Sequence, residues 1–389
     1  MTCVAISGAV VLFRPLELPE ERNGLKRIVR IHDTPGPGSL ILGCATSGAA
    51  PWCAGITFCH VELWRYSNHG CGCQLLHEHK VPLKMPYRLD LTVSVLRRLS
   101  TNVVDRFTPE GQYIRALSGF PTPVVVRATQ LQHEDCLFIT IEADTEYDST
   151  ALDSVCRMLT VDRDLTDFNL AASHVPWLAP LVTRMSGVKP PRYPTLWEAC
   201  ANAIVFQQVS LRSASAIMQR MVLALGQPVE VAELPTPCFV FPSAERVQTA
   251  SDGLLRATGL SAGKLATLRR VAEALDSGLL DEKALETSPS LDAAAVLRQI
   301  KGIGPWTAAV ILLRGLGRLD VFPANDTSVA SNIALVAGSA PFDAQAVLSA
   351  LGPQRGMLYF YLLLARLEAR GEIGRPSFER PEPDSRPAM

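Results

Sequence analysis

Three stretches in the C-terminal half carry residues whose types and spacing could do chemistry. The first is Leu297-Arg-Gln-Ile300-Lys301-Gly302-Ile303-Gly304-Pro305-Trp306-Thr307-Ala-Ala-Val310, two apolar-faced segments joined by Gly-Ile-Gly. Glycine permits the positive φ of a tight hairpin and lets another backbone come close. Pro305 stands where a second helix would begin, and its missing amide is one that a helix start leaves unpaired anyway. The amides around Gly304, Trp306 and Thr307 would then point outward at the positive end of the helix, where a phosphate can be held. A hairpin of this kind grips a nucleic-acid strand without reading bases. Taken alone, the same pattern also describes a plain helical hairpin with a glycine turn.

The second stretch, Asp320-Val-Phe-Pro323-Ala-Asn325-Asp326-Thr327-Ser328, starts 16 residues after Gly304 and brings a carboxylate to the start of another helix. On its own Asp326 reads as an N-cap. In a cleft it could stabilise a developing cation or orient a water. The third stretch is Ala203-Ile-Val-Phe-Gln207-Gln208-Val209-Ser210-Leu211. Taken by itself, Gln208 there reads as a polar side chain closing a helix end.

The elements that must position these residues differ between the two halves. Residues 1–84 contain the turn-rich Asp33-Thr-Pro-Gly-Pro-Gly38 and no sustained period, so an irregular extension of unknown role is expected, dispensable for folding. Cys53, Cys59, His60, His69, Cys71, Cys73, His77 and His79 match no common zinc spacing. From Met85, Tyr87 to Val93 alternates as a strand does, and Ser94 could cap a short helix through Ser100. Further strands are expected at Gln112–Leu117, Pro123–Gln130 and Cys136–Ala143, with a helix from Asp148 or Ser149 through Leu159. Residues 85–187 thus read as an α+β domain built on an antiparallel sheet, ending at the linker Val188-Lys-Pro-Pro-Arg-Tyr-Pro194. Residues 195–371 read as almost wholly helical. Thr195 to Val209 is expected as one long helix, and Ser243, Ser251 and Ser261 each open another. Residues 374–389 carry four prolines and read as a disordered tail.

Together, the hairpin, the Asp326 stretch and the Gln-Gln-Val-Ser segment resemble the signature of the helix-hairpin-helix DNA glycosylase superfamily. The nearest resemblance is to the bacterial inducible 3-methyladenine DNA glycosylase group, over residues 85 to 371. Leu351-Gly-Pro353-Gln-Arg355-Gly-Met-Leu-Tyr359 looks like the closing Trp-x-Pro-x-Arg-Ser helix of that group, with Leu351 in place of its Trp. The resemblance implies an α+β N-terminal domain followed by a mainly α-helical glycosylase domain, with Asp326 catalytic. It implies DNA contacts from Lys301, Gly302, Gly304, Trp306, Thr307, Gln207 and Gln208, the last entering the hole left by a flipped base. Trp306, Val310, Tyr359 and Leu363 are expected to line the base pocket.

Bifunctional members carry a lysine two residues after the second hairpin glycine. Trp306 stands there, so a monofunctional hydrolase of damaged, alkylated purines in base excision repair is implied. A bifunctional glycosylase/lyase and a non-enzymatic damage-binding protein are the alternatives. Val310 and Leu363 replace aromatic side chains common in the group, which weakens the match to broad alkyl-base recognition. The implied partner is double-stranded DNA with a damaged base, engaged by a monomer in the cytoplasm, at the nucleoid if the chain is bacterial. No cofactor or metal is implied.

Composition agrees. Of ten cysteines none follows Cys238, and all seven histidines lie at or before His174, so an iron-sulfur loop near the C-terminus and a histidine base there are excluded. From Gly187 to Ile373, 17 Lys and Arg face 16 Asp and Glu, so phosphates would be held by local geometry rather than by a global field. No apolar run is long enough for a bilayer.

Overall fold

The computed structural model of the protein describes residues 75–131, 134–323, 327–338 and 343–373, with the backbone of five strands nearer the N-terminus. Asn325, Asp326 and the tail 374–389 lie outside the described residues, as do Cys53, Cys59, His60, His69, Cys71 and Cys73. The chain divides into two compact units, Met1–Glu78 with Thr140–Asp148, and His79–Ile139 with Ser149–Met389.

In the first unit, Cys3–Ile6 and Ala9–Leu12 form an antiparallel hairpin. Arg27–Arg30, Leu40–Cys44 and Glu62–Arg65 follow as antiparallel neighbours. Glu62–Arg65 meets the start of Leu75–Pro82 at Leu63↔Leu76. The described elements of the first 84 residues are therefore strands. Leu75–Pro82 is also a hydrogen-bonded neighbour of Cys136–Ala143, so a cut at Met85 removes a strand of the sheet.

Within the second unit, Val124–Gln130, Gln112–Leu117 and Arg106–Phe107 are sheet neighbours in that order. Gln112–Leu117 and Val124–Gln130 pair antiparallel in the register Leu117↔Val124 to Gln112↔Thr129. Ile114, Ala116 and Val125 bury one face against Val231, Cys238 and Val240.

Residues 89–97 are helical, against the strand expected at Tyr87 to Val93. Leu89, Leu91, Val93 and Val95 alternate, but Leu89, Thr92, Val93 and Leu96 also fit the helical i, i+3, i+4, i+7 spacing, and all are buried. A helix buried on most sides shows both periods, so alternation could not decide between them.

Fifteen helices are described, and those of the C-terminal half form two apolar clusters. One surrounds helix Leu196–Val205, every residue of which is buried, and takes in the hairpin helices Ser290–Arg298 and Pro305–Arg314. The other surrounds helix Met357–Glu368, with Leu89–Arg97 and Thr327–Ala337 against it. Ser210, Ser243, Ser251 and Ser261 accept first-turn amides as expected of caps. Thr166–Ser173, Ala179–Arg184 and Glu282–Thr287 are short helices without a sustained apolar period to announce them.

Candidate active site

A cleft of about 1100 Å³ opens between the two helical clusters. Its first wall is the hairpin. The chain leaves helix Ser290–Arg298 through Gln299 and turns at Gly302, whose φ is +106°. A Cβ at Gly302 would lie 2.0 Å from Thr267 Oγ1, so both the backbone angle and the close approach require glycine there. Gly304 does not share that conformation: its backbone is extended, at φ −89° and ψ 179°, and nothing lies within 4 Å of a Cβ placed on it. It is the N-cap of Pro305–Arg314 and offers no capping side chain. First-turn amides have no acceptor inside their own helix, so this open face is where an anion would be met.

The second wall is the Gln207-Gln208 segment. Thr195 caps Leu196–Val205 by accepting the Glu198 amide at 3.2 Å. The helix ends at Val205, four residues short of the Val209 expected from the sequence. Gln208 stops it, because its φ of +53° is left-handed and cannot continue a helix. Ser210 then caps Leu211–Leu225. Lys264 Nζ donates to Val205 O at 2.8 Å and seals the helix end, and partial burial lowers the pKa of its ammonium.

Gln207 Nε2 donates to Gly302 O at 3.0 Å and to Thr307 Oγ1 at 2.7 Å. It pins the segment to the hairpin, while the exposed Gln208 stands at the tip. A non-glycine residue held at positive φ stores local strain of the kind found at ligand contacts.

The remaining wall comes from the second cluster: Tyr359, Leu362, Leu363 and Arg366, with Val329 and Asn332. Arg366 Nη1 donates to Asn332 Oδ1 at 2.9 Å. The structure thus brings Gln207, Gln208, Gly302, Gly304, Trp306, Thr307, Val310, Tyr359 and Leu363 to one cleft. Trp306 is half-buried and packs against the first cluster while facing the cleft, so stacking and core packing are not exclusive. Lys301 is exposed outside the lining, with its carbonyl accepting from Arg270 Nη1 at 3.2 Å. The backbone of helix Thr327–Ala337 follows directly after Asp326 in sequence.

Sequence reasoning missed Arg98, Phe206, Asn332 and Arg366. Arg98 and Phe206 meet across the unit, the guanidinium lying 3.8 Å from the ring centroid. No local spacing could have announced that pair, since sequence patterns report neighbours along the chain.

Behind the cleft lies a buried polar cluster. Arg115 Nη1 bonds Asp105 Oδ1 at 2.7 Å, its Nη2 bonds Glu198 Oε2 at 2.5 Å, and Tyr113 OH donates to Asp105 at 2.8 Å. Burial alone would lower the Arg115 pKa, but the charges of Asp105 and Glu198 hold it well above its ordinary value. This arrangement is structural, since all four side chains are buried and face one another.

No protein-family model matches the chain. A 3-methyladenine DNA glycosylase from Archaeoglobus fulgidus has the same fold, at a TM-score of 0.61 and 23% identity over 75% of this chain and 99% of that one. A probable bifunctional transcriptional activator/DNA repair enzyme AlkA of Mycobacterium tuberculosis is 29% identical over 254 residues, 64% of this chain and 48% of that protein. DNA-3-methyladenine glycosylase 1 of Schizosaccharomyces pombe is 34% identical over 136 residues, 34% of this chain and 54% of that protein. The chain spans about half the length of the curated relatives it matches.

The chain thus shares its fold with the Archaeoglobus fulgidus glycosylase and is similar in sequence to proteins named as DNA-3-methyladenine glycosylases. Among the described residues, no helix is long and apolar enough to cross a membrane.

Proposed function

We propose that the protein is a monofunctional DNA glycosylase that hydrolyses the N-glycosidic bond of damaged purine bases, alkylated ones among them, in double-stranded DNA. The carrying observation is the cleft itself: an open hairpin N-terminus and a loop with a strained, exposed glutamine face each other across a half-buried Trp306. This arrangement supports a division of labour. The hairpin amides hold a phosphate, Gln208 fills the gap in the stack, and the displaced base enters the cleft beside Trp306, Val310, Tyr359 and Leu363.

Asp326, assigned from its sequence position alone, stabilises the positive charge that develops on the sugar as the base departs. A water takes the place of the base, its proton passing to the carboxylate. No lysine is among the described residues lining the cleft, and Trp306 holds the position where lyase members carry one, so hydrolysis without strand scission is the expected outcome. Incubation with duplexes carrying 3-methyladenine, 7-methylguanine or hypoxanthine tests this. Free base with an intact abasic strand supports the proposal; strand cleavage that borohydride traps as a protein–DNA adduct, or no base from any duplex, overturns it.

A further inference from the structure

Arg98 is unlike the other side chains of the cleft. Its residue is 6% exposed, yet Nη1 has no hydrogen-bond partner among the described residues and no carboxylate pairs with it. The carboxylates that share its inner cavity, Asp105 and Glu198, are taken by Arg115. An unpaired buried donor on a cation is costly, and an acceptor supplied by a ligand would relieve that cost.

The backbone is unusual as well. Arg98 has φ 59° and ψ −69°, and the Leu99 amide donates to Arg97 O at 2.7 Å. That is a γ-turn of the rare positive-φ kind, strained for a residue with a side chain. The strained turn and the face of Phe206 hold the guanidinium at the wall of the cleft.

Charge and ring content bear on what could bind. Among the described residues lining the cleft, the charged ones are Arg98 and Arg366. One face of Phe206 is already covered by Arg98, and Val310 and Leu363 are aliphatic. A purine alkylated at N3 or N7 is a cation while attached to its sugar. Besides the carboxylate proposed at Asp326 it would meet two arginines, and one face of Phe206 is taken, so the cation–π attraction that favours such bases is reduced here. An uncharged purine bearing an exocyclic carbonyl oxygen gives Nη1 the acceptor it lacks.

We infer that Arg98 is a specificity-determining residue that donates to a carbonyl oxygen of the displaced base, and that the cleft favours uncharged keto-purine lesions over cationic N-alkylpurines. This rests on the glycosylase function proposed above and narrows its substrate class.

The test compares release of hypoxanthine and of 3-methyladenine from otherwise identical duplexes. Each rate is taken relative to spontaneous loss, for the full chain and for Arg98→Ala and Arg98→Lys. The wild type should accelerate hypoxanthine release more than 3-methyladenine release. Arg98→Ala should lower hypoxanthine release about ten- to a hundredfold, the range for a hydrogen bond from a charged donor, and leave release of 3-methyladenine, which has no carbonyl oxygen, unchanged or raised.

Arg98→Lys, which keeps a donor and a cation, should fall between. The ratio of the two substrates in one preparation does not depend on how much of a variant is folded. Parallel losses on both substrates, or a wild type that favours 3-methyladenine, would overturn the inference while leaving the glycosylase standing. Release of neither base overturns both.

Discussion

Helix Leu196–Val205 has a buried arginine at each end, and the two are treated in opposite ways. At the N-terminal end Arg115 is 1% exposed and bridges Asp105 and Glu198, with Nε alone unpartnered. At the C-terminal end Arg98 lies over Phe206, with no carboxylate and a strained backbone. A buried charge that serves the fold is surrounded by its counter-charges, because leaving it alone in low dielectric is expensive. Arg98, left without them, lines the cleft.

The hairpin repeats the contrast on the backbone. Gly302 is jammed against Thr267 and serves the turn, whereas Gly304 has empty space where a side chain would be.

If this contrast is correct, stability and DNA chemistry should come apart under mutation. Arg115→Ala should have the largest effect, about 3–5 kcal/mol off unfolding in denaturant titration, because it strands Asp105 and Glu198 without their counter-charge. A loss below about 1 kcal/mol would break the comparison at its structural end.

At the reactive end, Asp326→Asn should lower base release roughly a hundred- to a thousandfold, the scale for removing one electrostatic stabiliser. Melting and affinity for abasic-site DNA should stay near wild type. Near-normal turnover on a good substrate would remove Asp326 from the chemistry.

The glycine pair should divide in the same way. Gly302→Ala should cost about 1–3 kcal/mol of stability from the clash and the positive φ. Gly304→Leu should melt within about 0.5 kcal/mol of wild type yet bind damaged and undamaged duplexes more weakly to a similar extent. An effect of Gly304→Leu confined to one lesion would move that glycine from the phosphate grip to the base pocket.

The smallest effect concerns Lys189, another buried cation without a carboxylate, whose Nζ donates to Arg163 O at 2.7 Å. Burial pushes its pKa down from 10.5 to about 8. Between those values the unfolded chain keeps a proton that the folded chain has released, so this group makes stability rise with pH from about 8 upward. The slope from one such proton is at most about 1.4 kcal/mol per pH unit. Lys189→Met should remove that contribution; an unchanged profile in chemical denaturation between pH 8 and 10 would show the ammonium to be better solvated than its position implies.

What the sequence determined by itself was local. Serine caps, Pro305 at a helix start, the Gly302 turn and three strands ending in Ala143 are written in residues next to one another, where backbone propensity and capping act. The hairpin and the Gln207-Gln208 segment could be recognised for the same reason.

The tertiary structure decided the rest. It turned the alternating Leu89 to Val95 into a helix, because burial on most sides erases the difference between the two periods. It ended Leu196–Val205 at the left-handed Gln208. It also set Arg98 over Phe206 while giving both nearby carboxylates to Arg115. Whether a charge is paired depends on which distant side chains share its cavity. That is settled by packing, and no spacing along the chain encodes it.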